Sequence, residues 1–403
     1  MKLLTLLFIF ITFSLHPIFA QKQTLRISTF LAYHSERSLD LKKSLKPSNI
    51  ITSKFNIKYN TLRSTSQLAL NYDGNDNFNL DGSYFQYTNG IATYGLGAVE
   101  RHWSFSDNTS LILSNNARPP VTIYLRLENR FGYGWMPSKA KWSFEVFNGF
   151  TDGSLNNSKS MLLGMRAILS PVEGLEFELV QTSQWGGKGY KTGISALGDA
   201  LAFDTNNSSN SNINKMAGFG ISYKIPTIIP LRIYGQAVGE DEAGNLPSCF
   251  AYLTGLEWSN AKIKYPMIVG FEAVDTRIDV TTHGNCGPNT MYNNNIYDYT
   301  NYGKTMGVEI DTEGTSLGLY ISSQISKNIN IKFATKSVVI NDSNWSGHRL
   351  SSNRQSGLID SLGVSWVKNN INVSGDIYNQ GFNLEKADIK SGYGFRFSSS
   401  IVF

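Results

Sequence analysis

The chain has 403 residues, of which 41% are hydrophobic, 17% charged and 12% aromatic, with 36 glycines and a mean hydropathy of −0.21. These proportions exclude a bundle of membrane-spanning helices, each of which needs about 20 apolar residues, and the charge content lies below the ~25% of an ordinary soluble domain. The formal net charge of +5 is mild, and Lys42, Lys43 and Lys46, the nearest thing to a basic cluster, are too few to track a nucleic-acid backbone, so no nucleic-acid partner is expected.

In chain order, Lys2 precedes an apolar run over 3–15, and Ala20 supplies a small residue before Gln21. That arrangement predicts a secretory signal peptide over 1–20, although Ile18 is a poor residue for the third position before the cut. Residues 21–53 are expected to form a short periplasmic segment with a possible extra strand at 25–31, and residues 54–403 a single transmembrane β-barrel. From there the chain is a succession of short alternating segments separated by Gly, Asn, Asp, Ser and Pro. Val121, Ile123, Leu125 and Leu127 fall on one strand face, with Thr122, Tyr124, Arg126 and Glu128 on the other. Leu175, Phe177 and Leu179 likewise oppose Glu176 and Glu178, and Ile371, Val373 and Ile377 oppose Asn372, Ser374 and Asp376. A soluble sandwich also alternates, but about ten residues per segment with charges and amides on the inner face suit a lipid-facing exterior around a wet lumen.

Some nineteen candidate strands occur from residue 54 onward, whereas a bacterial barrel takes an even number. Counting from both ends places 184–214, 240–248, 275–302, 341–354 and 380–390 outside, and treating 303–311 as part of one long outer loop gives about 18 strands. The short connections 171–174, 226–230 and 366–370 are then periplasmic turns. Cys249 and Cys286, 37 positions apart, fall in outer loops. An even count in an oxidising compartment permits a disulfide, worth roughly 3–4 kcal/mol for such a loop, against the alternative of two isolated thiols. No Cys-x-x-Cys or His-x-x-x-His spacing suggests a metal, and no cofactor is expected.

The final strand alternates Tyr393, Phe395, Phe397, Ser399, Ile401 and Phe403. It resembles the terminal strand that the barrel assembly machinery recognises in bacterial outer-membrane proteins. More specific are Ser110-Leu-Ile-Leu-Ser-Asn-Asn-Ala-Arg-Pro-Pro120, the run from Gly174 through Gln181-Thr-Ser-Gln-Trp-Gly-Gly187, Gly239-Glu-Asp-Glu-Ala-Gly244 with Leu253-Thr-Gly-Leu-Glu257, and the Tyr/Gly-rich segment around Tyr292, Tyr297, Tyr302 and Gly303. In this order they resemble the capsule assembly protein Wzi family, from about residue 80 to the end. The resemblance implies an eighteen-strand outer-membrane barrel that attaches exported capsular polysaccharide to the cell as a lectin; outer-membrane lipid and lipopolysaccharide are the expected surround, and a monomer is expected. The chain departs from the family at 21–53, too short for the helical bundle that closes the periplasmic mouth in other members.

Within these motifs, Asn115, Asn116 and Arg118 offer amides and a guanidinium near a rim, Gln184 and Trp185 pair an amide with an indole, and Glu240, Asp241 and Glu242 cluster carboxylates. Together with Tyr297 and Tyr299 they are the candidate polysaccharide-binding residues, because sugars present hydroxyls to polar groups and C–H faces to aromatic rings. The plainer readings are a place for Trp185 in the interfacial aromatic belt and an ion pair between Arg118 and the acidic triplet inside the lumen. Without the resemblance, a diffusion porin is the leading alternative. A barrel hydrolase is a distant third, with His34, His102, His283 and His348 scattered and no Gly-x-Ser-x-Gly elbow.

Overall fold

The computed structural model describes residues 23–36, 38–39, 50–73, 78–129, 139–152, 159–201, 213–225, 230–243, 246–278 and 286–403. The expected signal peptide over 1–20 and His283 lie outside them. Among the described residues, 18 long strands form one closed antiparallel sheet. Strand Gly392–Val402 pairs with Ile371–Gln380 on one side and with Thr24–His34 on the other, where Ser28 faces Val402 and His34 faces Arg396. Two backbone hydrogen bonds between Ile27 and Phe403, of 2.7 and 3.2 Å, complete the seam.

The strand Thr24–His34 corrects the expected boundary, because the barrel begins there rather than at residue 54. On this strand Ala32 and His34 are buried while Leu25 and Leu31 are exposed. Phe30 and Ala32 share the inner face with His34, and Thr29 shares the outer one, so the polarity contrast that marks other strands is weak. The total of 18 therefore stands on 18 − 1 = 17 strands from Ile50–Asn60 onward plus this one.

Elsewhere the alternation shows directly in the burial. Ile123, Leu179 and Ile377 are 68%, 65% and 60% exposed, while their neighbours Thr122, Glu178 and Tyr378 are buried. An apolar band of this extent facing water would be costly, and it is what a hydrocarbon surround requires. Thr24 and Phe403 lie at the end that carries turns such as 173–174 and 369–370; the long connections 98–120, 276–314, 341–354 and 381–391 gather at the other. Short turns belong to the periplasmic side and long loops to the outside.

Two expected outer loops have more regular structure than the sequence suggested. Residues 240–248 mostly continue the ladder, with Asp241 facing Ser248 and Ala243 facing Leu246. The acidic triplet lacks apolar alternation and so reads as a loop, yet the two strands satisfy each other's backbone groups well beyond the apolar band. In the 184–214 segment, helix Ile194–Leu201 buries Ala196 and Ala200 against Leu163 and Trp185.

Candidate functional site

Connection 98–120 leaves strand Ala92–Gly97 and turns into the barrel instead of out into solvent. Its apolar residues Trp103, Leu111, Ile112 and Leu113 are buried in one cluster with Tyr292, Tyr299, Met306 and Ile310 of 276–314 and with Tyr234 and Phe147 of the wall. Inward-pointing wall residues fasten it. Gln236 accepts from Leu111 N–H at 2.9 Å and donates to the Trp103 carbonyl at 2.6 Å. Arg101 donates to Glu145 at 2.7 Å and lies over the Phe147 ring, and Ser106 donates to Glu272. Residues 98–120 thus fill the lumen with a second, apolar core. The lumen lining around it is polar and paired: Glu178 accepts from Arg166 at 2.6 Å and from Gln236 at 2.8 Å.

Over this plug lies 276–314; the candidates Asn116, Arg118 and Tyr299 serve the joint between the two, while Gln184, Glu240 and Tyr297 fasten 276–314 to the wall and its rim. Tyr292 and Tyr299 stack at 5.9 Å and donate their hydroxyls to the Leu111 and Ile112 carbonyls at 2.6 and 2.8 Å. Burial pushes both phenols up, so they remain donors. Asn116 donates to the Thr305 carbonyl at 2.9 Å, and Gln184 to the Asp298 carbonyl at 2.9 Å. Glu240 accepts from Asn214 at 3.1 Å and from Tyr292 N–H at 3.0 Å. Tyr297 donates to the Gly186 carbonyl at 2.8 Å, and Trp185 donates to Asn148 at 3.2 Å.

Trp185, Tyr297 and Tyr299 are all buried, which corrects the expectation that their rings present faces to a sugar. Trp185 is tied to Asn148 of the wall strand Lys141–Phe150, whereas Tyr297 and Tyr299 have their partners in other loops, so these two rings hold the outer loops together. Trp185 is likewise no member of an interfacial belt. The side chains of Asp241 and Glu242 lie outside those described. Among the described side chains Arg118 is paired with Asp81, which it grips through two bonds of 2.7 and 3.0 Å. Cys249 and Cys286 are joined by a disulfide, with Cα atoms 5.5 Å apart, which ties 276–314 to the wall strand Leu246–Asn260.

Two polar groups face outward. One joins Arg277 to Asp275 and Asp342 at 2.7 and 3.1 Å, and Arg354 to Asp342 at 2.8 Å. The other surrounds the hairpin turn after Asn301, where the exposed Tyr302 lies over the Arg118 guanidinium at 3.8 Å. Half-buried Asn115 lines a small cleft beside Arg118. Gln236, Asp81 and Asp152 were not singled out in the sequence. Gln236 sits in an ordinary alternating strand, and the other two in polar turns that look like any others.

The profile of the capsule assembly protein Wzi family matches residues 13–388. A solved outer-membrane protein of Escherichia coli, Wzi, described as a carbohydrate-binding β-barrel involved in group 1 capsule assembly, is 21% identical with a TM-score of 0.79 over 94% of this chain and 84% of its own. The Pseudomonas aeruginosa barrel OccK5 aligns at 7% identity and a TM-score of 0.53 over 95% of this chain and 98% of its own. A Klebsiella pneumoniae protein described as an uncharacterized 55.8 kDa protein in the cps region is 27% identical over 209 residues, 51% of this chain and 42% of that one. The match thus spans less than half the length of that curated relative. With the family profile covering nearly the whole chain and the barrel closed as described, the chain belongs to the capsule assembly protein Wzi family.

Proposed function

We propose that this protein sits in the outer membrane and holds exported capsular or related polysaccharide at the cell surface, as a lectin and without catalysis. The observation that carries this reading is the apolar plug. Trp103, Leu111, Ile112, Tyr292 and Met306 pack the lumen with a buried apolar cluster, which favours the outer loop surface as the working face. Membership of a capsule assembly family and the carbohydrate binding described for the E. coli barrel support the choice of ligand. Lipid and lipopolysaccharide are the natural surround of the exposed apolar band, and the alternating aromatics of the last strand suit handling by the barrel assembly machinery. Of the described histidines, His102 and His348 each bond a backbone carbonyl, Ser106 O at 2.7 Å and Thr312 O at 3.0 Å. Deleting the gene and assaying polysaccharide on cells and in the medium tests the proposal. The expected result is unchanged total polymer with a shift from cell-attached to released; an unchanged partition would reject attachment as the function.

A further inference from the structure

Four outer connections meet around one exposed ring. Thr300 pairs with Thr305 and Asn301 with Lys304, so Tyr302 and Gly303 form a two-residue hairpin turn. Both have positive φ, +51° and +72°. Such turns favour Asn-Gly or Gly-Gly, and a bulky aromatic in the left-handed region is uncommon and strained. The ring gains no core in return: it is 47% exposed, while every other tyrosine described in 286–314 is buried.

What surrounds Tyr302 fixes its position. Arg118, from 98–120, lies against one face of the ring and is itself held in place by Asp81 from 73–83. Asn301 donates to the Arg118 carbonyl at 2.8 Å and accepts from Asp152 N–H at 2.9 Å. The Asp152 carboxyl, pushed up by burial, accepts the Tyr302 backbone N–H. The ring is therefore backed by a cation on one face, has the Asp152 carboxyl at its backbone N–H, and is held with little freedom left to lose on binding. A pre-organised aromatic face matches the apolar C–H face of a pyranose ring.

We propose that Tyr302 is a stacking subsite for a sugar ring of the bound polymer, with Arg118, Asp81 and Asp152 as the residues that position it. This rests on the polysaccharide-binding reading above. The backbone strain at Tyr302 then has a function, since Asn would suit the turn better but would present no face.

The test uses the full-length protein in detergent and, as probe, fluorescein-labelled polysaccharide extracted from the source strain's own surface, with unlabelled dextran as the unrelated control. Three proteins are compared for binding and for heat-modifiable gel migration: wild type, Tyr302→Asn and Tyr302→Phe. Tyr302→Asn should fold at least as stably as wild type and bind roughly tenfold more weakly, with avidity along the polymer enlarging the loss. Tyr302→Phe should bind as wild type does, because stacking needs the ring and not the hydroxyl. A folded Tyr302→Asn that binds like wild type overturns the subsite and leaves the lectin reading standing. A wild type that binds the extracted polymer no better than dextran overturns both.

Discussion

His348 shows how a single buried group ties loop packing to pH. It is buried in the outer 341–354 connection, donating from Nε2 to the Thr312 carbonyl and accepting the Leu350 N–H at Nδ1. Burial lowers its pKa below the ordinary value, against the opposing pull of Asp311. The unfolded loop takes up a proton near pH ~6.5 while the folded loop resists, so stability falls as the pH drops below that value, by at most ~1.4 kcal/mol per pH unit. Asp311 has the same sign of linkage, in a lower pH window. Burial would raise its pKa, but the paired Arg349, donating through Nε at 2.7 Å, outweighs that and holds it low. Its contribution is present above the ordinary carboxylate range and is lost only in stronger acid. Proteolysis within 341–354 should therefore quicken between pH 7 and 5, and His348→Gln should flatten that dependence. An equal slope in the variant would assign the effect to other groups.

Among the elements, a recurring pair shapes the wall. Tyr124 faces Gly95, Tyr234 faces Gly255, Tyr320 faces Gly270 and Tyr378 faces Gly394 directly across antiparallel strands. In each pair the ring lies over the glycine, so an added Cβ would fall inside it. The glycine gives the ring room to lie flat along the lumen wall, and the ring covers backbone that the glycine leaves bare. Gly255→Ala should destabilise the barrel by about 1–3 kcal/mol through overpacking against Tyr234. Gly375→Ala, where the added Cβ meets open space, should be close to neutral. Comparing the two by heat-modifiable gel migration checks the pairing, and equal effects would count against it.

The disulfide acts at the same scale, fastening the cover to the wall. Unreduced protein should take no maleimide, whereas reduction should label Cys249 and Cys286 together and loosen 276–314, with roughly 3–4 kcal/mol of loop constraint released. Labelling before reduction would contradict the bridge.

What the sequence disclosed follows from the range of the forces involved. Strand phase is local, so Ile123 against Thr122, or Leu179 against Glu178, was legible from period-2 alternation. The strand Thr24–His34 was half hidden because Phe30 and Ala32 blur that contrast. The plug was not legible, because its fastenings join residues far apart: Leu111 to Gln236, Tyr299 to Ile112, Gln184 to Asp298. Nothing in a Tyr/Asn/Gly-rich stretch distinguishes rings buried under a neighbouring loop from rings open to solvent. Hence Tyr297 and Tyr299 looked like sugar platforms, while Tyr302, in the same stretch, is the exposed one.

For the whole molecule, the question is whether the barrel conducts. An eighteen-strand barrel is wide enough for an aqueous channel, and its lumen wall is polar, with Arg166–Glu178 and Arg232–Glu257 pairs. Conduction would then need only a path past the plug. That path is blocked by a cluster of buried apolar side chains, not by a flexible loop lying in water: Trp103, Leu111 and Ile112 pack with Tyr292, Tyr299 and Met306, and the disulfide retains the upper layer. Opening it would expose this apolar surface and break the bonds from Gln236 to Leu111 and Trp103, at about 1–3 kcal/mol for each buried group left unsatisfied. The closed state should therefore dominate at rest. In planar bilayers the purified protein should show almost no steady current. Reduction together with Gln236→Ala, which frees the upper layer and unfastens the lower, should produce intermittent openings. Large ohmic channels in the unmodified protein would instead mean that the plug leaves the lumen readily, and would return the porin reading to first place.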